Sequence, residues 1–222
     1  MKHLAFYFLT FISFASFGQV KVDLNKVQVG ISVSPDYSYI SIAGLYEIPK
    51  VGLTAGLNAV YHFNKSVGLE TGLHYSNKGY QTKMMDLYYF VPDPKAPTQG
   101  KFIYNYNFLD IPLKANFSIG NKKTRFFTSI GMAMNVFLKE TQTSIYIYPD
   151  YTEKKIIYPT EHYLRKVNVS PSLSFGIDYT LNDNSHIRVE PTFRCAMFKM
   201  VDLESSGNLI SAGLNISYFF GK

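Results

Sequence analysis

The residues of this 222-residue chain with the most chemical potential are charges set two or four positions apart. Glu70 and His74 share a parity, as do Asp110 and Lys114, and as do Arg188, Glu190 and Arg194; Asp178 stands alone. In a strand such spacing places each group on one face. Acids and bases aligned on the inside of a closed sheet can relay protons or ions, or they can simply neutralise one another. Charges removed from water must be paired. The expected network sets Glu70, Asp110 and Glu190 against Lys114, Arg188 and Arg194, as the polar filling of a narrow barrel. A gated ion path is the alternative. A hydrolase or acyltransferase would need a serine beside a base, and the nearest set is Glu161 and His162 with Ser144. No nucleophile elbow or fixed spacing supports that set, so the chain is not expected to be an enzyme. No metal-ligand spacing, phosphate loop or dinucleotide fingerprint occurs, and no cofactor or metal is expected.

The elements that position these charges alternate strictly. From Val167 to Tyr179, the odd positions Val167, Val169, Leu173, Phe175, Ile177 and Tyr179 are apolar, with Pro171 among them. The even positions Asn168, Ser170, Ser172, Ser174, Gly176 and Asp178 are polar or small. Comparable runs begin at Val27, Val51, Val67, Phe102, Phe126, Ile187 and Leu209, which makes eight in all. A tilted strand of about nine to eleven residues crosses a bilayer. The fold expected is all-β: an eight-stranded antiparallel up-and-down transmembrane β-barrel with its apolar residues outward. In the fourth run Tyr104, Tyr106 and Phe108 lie out of phase with Leu109, Ile111, Leu113, Ala115 and Phe117, which predicts a bulge or face switch near Phe108. Pro171 is close to a loop end. Pro191 lies inside a run, where a bulge or a missing ladder bond is expected.

The connections alternate in length. Asn64-Lys65-Ser66, Gly120 to Thr124 and Asn182 to Ser185 are short. The segments 38–50, 81–101, 139–166 and 199–208 are long. Bacterial outer-membrane barrels have short periplasmic turns and longer external loops. Phe63, Phe117, Phe126, Tyr179, Tyr218 and Phe220 cluster near the short turns or the C-terminus and are expected to form a periplasmic aromatic girdle. The long loops carry Tyr88, Tyr89 and Phe90, then Tyr146, Tyr148 and Tyr151. Rigid exposed aromatics make contact surface for a partner protein, although Thr143 to Tyr148 also alternates as a strand extension would.

Residues 1–18 read as a secretory signal peptide, with Lys2 before an apolar run and Ser16-Phe17-Gly18 before cleavage. The mature domain is then 19–222. Cys195 is the single cysteine, so no disulfide framework exists. Mean hydropathy of −0.04 suits a wall in which only alternate residues meet lipid. The net charge of +6 is scattered over turns such as Lys65, Lys122, Lys123 and Arg125, and export argues further against nucleic acid as a partner. The expected partners are outer-membrane lipid, the barrel assembly machinery that would insert the chain, and a protein at the external loops. The runner-up fold is a soluble lipocalin-like barrel with its faces reversed, enclosing a small apolar ligand. A narrow channel is a third reading.

The stretches Gly68-Leu69-Glu70, Tyr75-Ser76-Asn77-Lys78-Gly79 and Phe108-Leu109-Asp110-Ile111-Pro112-Leu113-Lys114 resemble the PorT-like outer-membrane β-barrel family of Bacteroidota-type bacteria. The C-terminal aromatic strand from Ile216 to Phe220 is similar as well, although Gly221-Lys222 follow its final aromatic. The resemblance implies an outer-membrane barrel and brings no catalytic residues. Some relatives take part in secretion or gliding machinery.

Overall fold

A computed structural model describes residues 26–42, 47–91, 93–120, 123–159, 165–182, 184–200 and 206–220. The proposed signal peptide, Glu161, His162, Lys122 and the Gly221-Lys222 tail lie outside the described residues.

Among the described residues ten strands follow one another: β1 (Val27–Ile42), β2 (Glu47–His62), β3 (Val67–Thr82), β4 (Met85–Asp86), β5 (Gln99–Gly120), β6 (Thr124–Ile147), β7 (Thr152–Ile157), β8 (Val167–Asn182), β9 (Ser185–Lys199) and β10 (Ser206–Phe220). Eight of them close a ring in the order β5-β3-β2-β1-β10-β9-β8-β6, sealed by β5 pairing with β6. Every pairing is antiparallel. The remaining two, β4 and β7, are short ribbons on β5 and β6.

The faces divide as the alternation demands. Phe175 is 64% exposed and Leu173 54%, whereas Arg188 is 2% and Glu190 0%. Large apolar side chains on every wall strand point outward. The lipocalin-like arrangement requires the reverse, and these exposures set it aside.

Two expectations are corrected. The wall strands run further than the alternating runs, to 22 residues in β5 and 24 in β6, so part of each expected loop is strand. At about 3.4 Å per residue these strands outreach the apolar band of about 25 Å. The phase change belongs to β6, not β5. Asn107 faces Lys139 while Phe108 faces Phe137, which leaves Leu138 as the extra residue of a bulge. Tyr104, Tyr106 and Phe108 keep the inward phase of Asp110 and Lys114. At Pro191 the ladder lapses as expected and without a bulge: Ser174 faces Thr192 and Ile177 faces Val189 in one register, with no pairs between them, and the register shifts only later, between Thr180 and Asn182. Pro171 lies beyond the β8–β9 ladder, which begins at Ser172 and Arg194, so its missing N–H costs no bond there.

Two glycines are required by close approach. A Cβ on Gly213 would stand 1.7 Å from Asp36 Oδ1, so only a bare backbone lets that carboxylate sit inside the wall. Gly79 has φ of 148°, and a Cβ there would meet the Tyr104 carbonyl oxygen at 1.9 Å.

Candidate functional site

Strands β3, β5, β8 and β9 bring the central charges together. Arg188 lies at the hub. Its Nε donates to Asp178 Oδ1 at 2.7 Å, Nη2 to Asp178 Oδ2 at 3.1 Å, and Nη1 to Glu70 Oε2 at 2.6 Å. Lys114 Nζ then joins Glu70 Oε1 at 2.8 Å to Glu190 Oε1 at 3.0 Å. Two of these carboxylates receive further donors. Asn116 Nδ2 donates to Glu70 at 2.9 Å, while Ser129, Ser174 and the Asn215 amide donate to Glu190. Fork geometry suits an arginine that must bind two acids at once.

Further from the short turns, the pairing differs from expectation. Asp110 binds Lys78 at 2.6 Å and Asn135 Nδ2 at 2.6 Å, not a member of the central chain. Arg194 faces Asp36 at 3.8 Å, and Asp36 also accepts from Ser34 and Thr54. Sequence reasoning missed Lys78 and Asp36; the available signals were the parity of Lys78 with His74 and Ser76 and that of Asp36 with Ser32 and Ser34. His74 lines the same interior and contacts Asn58 Oδ1 at 2.6 Å.

Apolar layers bound this polar zone at both ends. Toward the short turns, the Arg188 guanidinium lies 4.2 Å from the Phe127 ring centroid and 5.0 Å from that of Phe219, and the His186 ring stacks on Phe219 at 4.8 Å. Toward the long connections, Ile40, Tyr80, Tyr106, Phe108, Ala196, Met200 and Leu209 form a buried cluster, against which Tyr104 and Phe137 pack. Cation–π contact of this kind favours a desolvated arginine.

All six girdle residues, Phe63, Phe117, Phe126, Tyr179, Tyr218 and Phe220, are exposed at the short-turn end of the wall. At the other end, Tyr88 (91% exposed), Tyr89 and Phe90 (105%) stand on the segment between β4 and β5. Tyr146 lies within β6. Tyr148 and Tyr151 stack at the tip of the β6–β7 hairpin, with ring centroids 4.3 Å apart. The Tyr148 hydroxyl donates to Glu153 at 3.0 Å, and that hydrogen bond, ahead of desolvation, pushes the phenol up to about 12. Ser144 is buried within β6 and accepts from Gln142 Nε2, so it is not the surface nucleophile a hydrolase would need. Among the described residues, no cluster of His, Cys, Asp and Glu is arranged to hold a metal ion.

A closed antiparallel ring with an apolar outer wall and ionised groups along its axis defines a transmembrane β-barrel. The chain belongs to the outer membrane protein beta-barrel domain family, whose model matches residues 14–196. It resides in the bacterial outer membrane. The solved structure of Neisserial surface protein A has the same fold: 10% identity, TM-score 0.51, covering 89% of this chain and 97% of that one. OprG of Pseudomonas aeruginosa aligns at 13% identity and TM-score 0.47, over 88% of this chain and 95% of that one. Ail, the attachment invasion locus protein of Yersinia pestis, aligns at 14% identity and TM-score 0.38, over 88% and 99% respectively. No curated sequence relative matches.

Proposed function

We propose that this chain is a non-catalytic outer-membrane barrel whose interior is a closed polar plug and whose external aromatic hairpins bind a partner protein. The observation that carries the reading is the contrast between the two. Inside, each described carboxylate of the polar zone has a cationic neighbour within 4.0 Å, and apolar layers lie above and below. Outside, Tyr88, Phe90 and Val91 stand in solvent on a segment braced by β4. A rigid scaffold holding exposed aromatics is a good binding surface. Delivery by a signal peptide at residues 1–18, insertion by the barrel assembly machinery, lipid around the apolar belt and the PorT-like affinity all belong to this reading. The alternative of a narrow channel draws on the same charges.

A photo-crosslinking residue at Phe90 or Tyr151 in intact cells tests the binding surface. The expected result is one discrete adduct from both positions, absent from a probe at Asn182 and, for the Tyr151 probe, lost when Tyr88 and Phe90 are changed to Ser. Adducts indistinguishable from those of the Asn182 probe contradict it.

A further inference from the structure

Two adjacent turns of the periplasmic rim carry cations and no acids. The β2–β3 turn carries Lys65, and the β5–β6 turn carries Lys122, Lys123 and then Arg125; neither turn contains an acidic residue. The β8–β9 turn, Asn182 to Ser185, contains no cation and one acid, Asp183. Lys65 and Lys123 are exposed, and among the described residues neither has an ion pair. The first two turns are tied into one unit. The Arg125 guanidinium donates to the Lys65 carbonyl oxygen, and Ser118 N donates to the Ser66 carbonyl oxygen at 2.7 Å. Lys123 is fixed by its own carbonyl, which accepts from Thr180 N at 2.8 Å.

Directly below these cations, the outer wall exposes Phe63, Phe117, Ile119 and Phe126. An apolar wall ending in a small cluster of unpaired ammonium groups matches one ligand shape: acyl chains leading to a negative headgroup. Basic residues at a membrane surface attract anionic lipid, and neutralising them weakens that attraction. Tyr179 and Leu181, beside the β8–β9 turn, are exposed in the same way, but that turn has no cation of its own. It offers the apolar half of such a site without the electrostatic half, whereas β1, which pairs with the strand of Tyr218 and Phe220, begins after a single exposed cation, Lys26.

We infer that the arc formed by the β2–β3 and β5–β6 turns is a binding site for the phosphate headgroup of an anionic phospholipid in the periplasmic leaflet. This rests on the membrane-spanning reading and adds to it a lipid class and a position on the rim. The binding is selective for net negative charge, so a zwitterionic phospholipid of equal chain length is held less well.

Native mass spectrometry of the full barrel, released from detergent holding equal phosphatidylglycerol and phosphatidylethanolamine, tests the site. The wild type is expected to retain phosphatidylglycerol. Lys65→Gln with Lys123→Gln is expected to lower that adduct about tenfold, while Lys139→Gln with Lys166→Gln, at the opposite end of the barrel, leaves it unchanged. Arg125 is kept because it ties the turns together, and heat-modifiable gel mobility checks that each variant is a closed barrel. Equal retention of the two lipids, or equal loss in both double variants, overturns the proposal. So does displacement of the lipid by inorganic phosphate, which marks a free-anion site, or by a carboxylate-bearing cell-wall fragment, which marks a polymer site. A wild type that fails to insert into vesicles overturns the membrane reading and this proposal with it. A barrel that inserts but shows no lipid preference overturns this proposal alone.

Discussion

The barrel interior has two regions built on opposite chemistry. At mid-height, Glu70, Lys114, Asp178, Arg188 and Glu190 are joined by ion pairs. Toward the long connections, Tyr80, Tyr106, Phe108, Met200 and Leu209 pack as an ordinary apolar core. The difference follows from what surrounds the wall at each height. Where the outer face is apolar, the alternate positions are polar and the protein is inside out. Where the strands rise beyond the lipid, the outer face is free to meet water and the inner face returns to the usual apolar filling. One continuous strand, β5, serves both regions, with Lys114 and Asp110 in the first and Phe108 and Tyr106 in the second.

The two regions should fail differently. The largest effect is expected for Arg188→Ala, which strands two buried acids. Breaking a buried pair from one side costs about 3–5 kcal/mol, read as a lower urea midpoint for unfolding from vesicles. A loss near zero would mean that water already reaches Glu70 and Asp178. Phe108→Ala in the apolar cluster is expected to cost about 3 kcal/mol, and Phe108→Leu clearly less, because the loss there scales with the cavity left behind. Equal losses for Ala and Leu would deny that the region is close-packed.

Rescue separates the regions further. Lys78→Met alone should be strongly destabilising, whereas Lys78→Met with Asp110→Asn, which removes the stranded charge and keeps an acceptor for Asn135, should recover much of the loss. A double variant no better than the single one would show that an unpaired Asp110 charge is not what the single variant suffers from. The smallest effect belongs to the exposed hairpin. Phe90→Ser should shift stability by less than about 0.5 kcal/mol while abolishing the crosslink proposed for that surface.

This division also explains what was legible in the sequence. The wall was readable because lipid on one side and polar filling on the other impose strict alternation, as in Val167 to Tyr179. The members of the central network carried the same parity signal. Glu70, Lys114, Arg188 and Glu190 lie in one chain of ion pairs, while Asp110 and Arg194 take other partners, because parity tells which face a residue occupies and not its height along the axis. Beyond the lipid the code inverts. Tyr104, Tyr106 and Phe108 looked out of phase because apolar residues there mark the inside, while Asn105 and Asn107 take the other face, where Asn107 is covered and bonded by Tyr75 and Asn77. The same inversion hid Lys78, which follows the outward Asn77 where the apolar alternation of β3 fades. The bulge at Leu138 was displaced onto the wrong strand for a related reason: apparent phase changes arise both from an extra residue and from a change of surroundings.

The central claim is that the ionised groups fill the axis of the barrel instead of lining an open path. Planar-bilayer recording of the purified, refolded wild type tests it most directly. The account predicts a silent bilayer at neutral pH, with no sustained unitary current even though heat-modifiable mobility certifies a folded barrel. Long-lived, reproducible open steps from that same material, abolished by substitutions at Arg188 or Glu190, would contradict it.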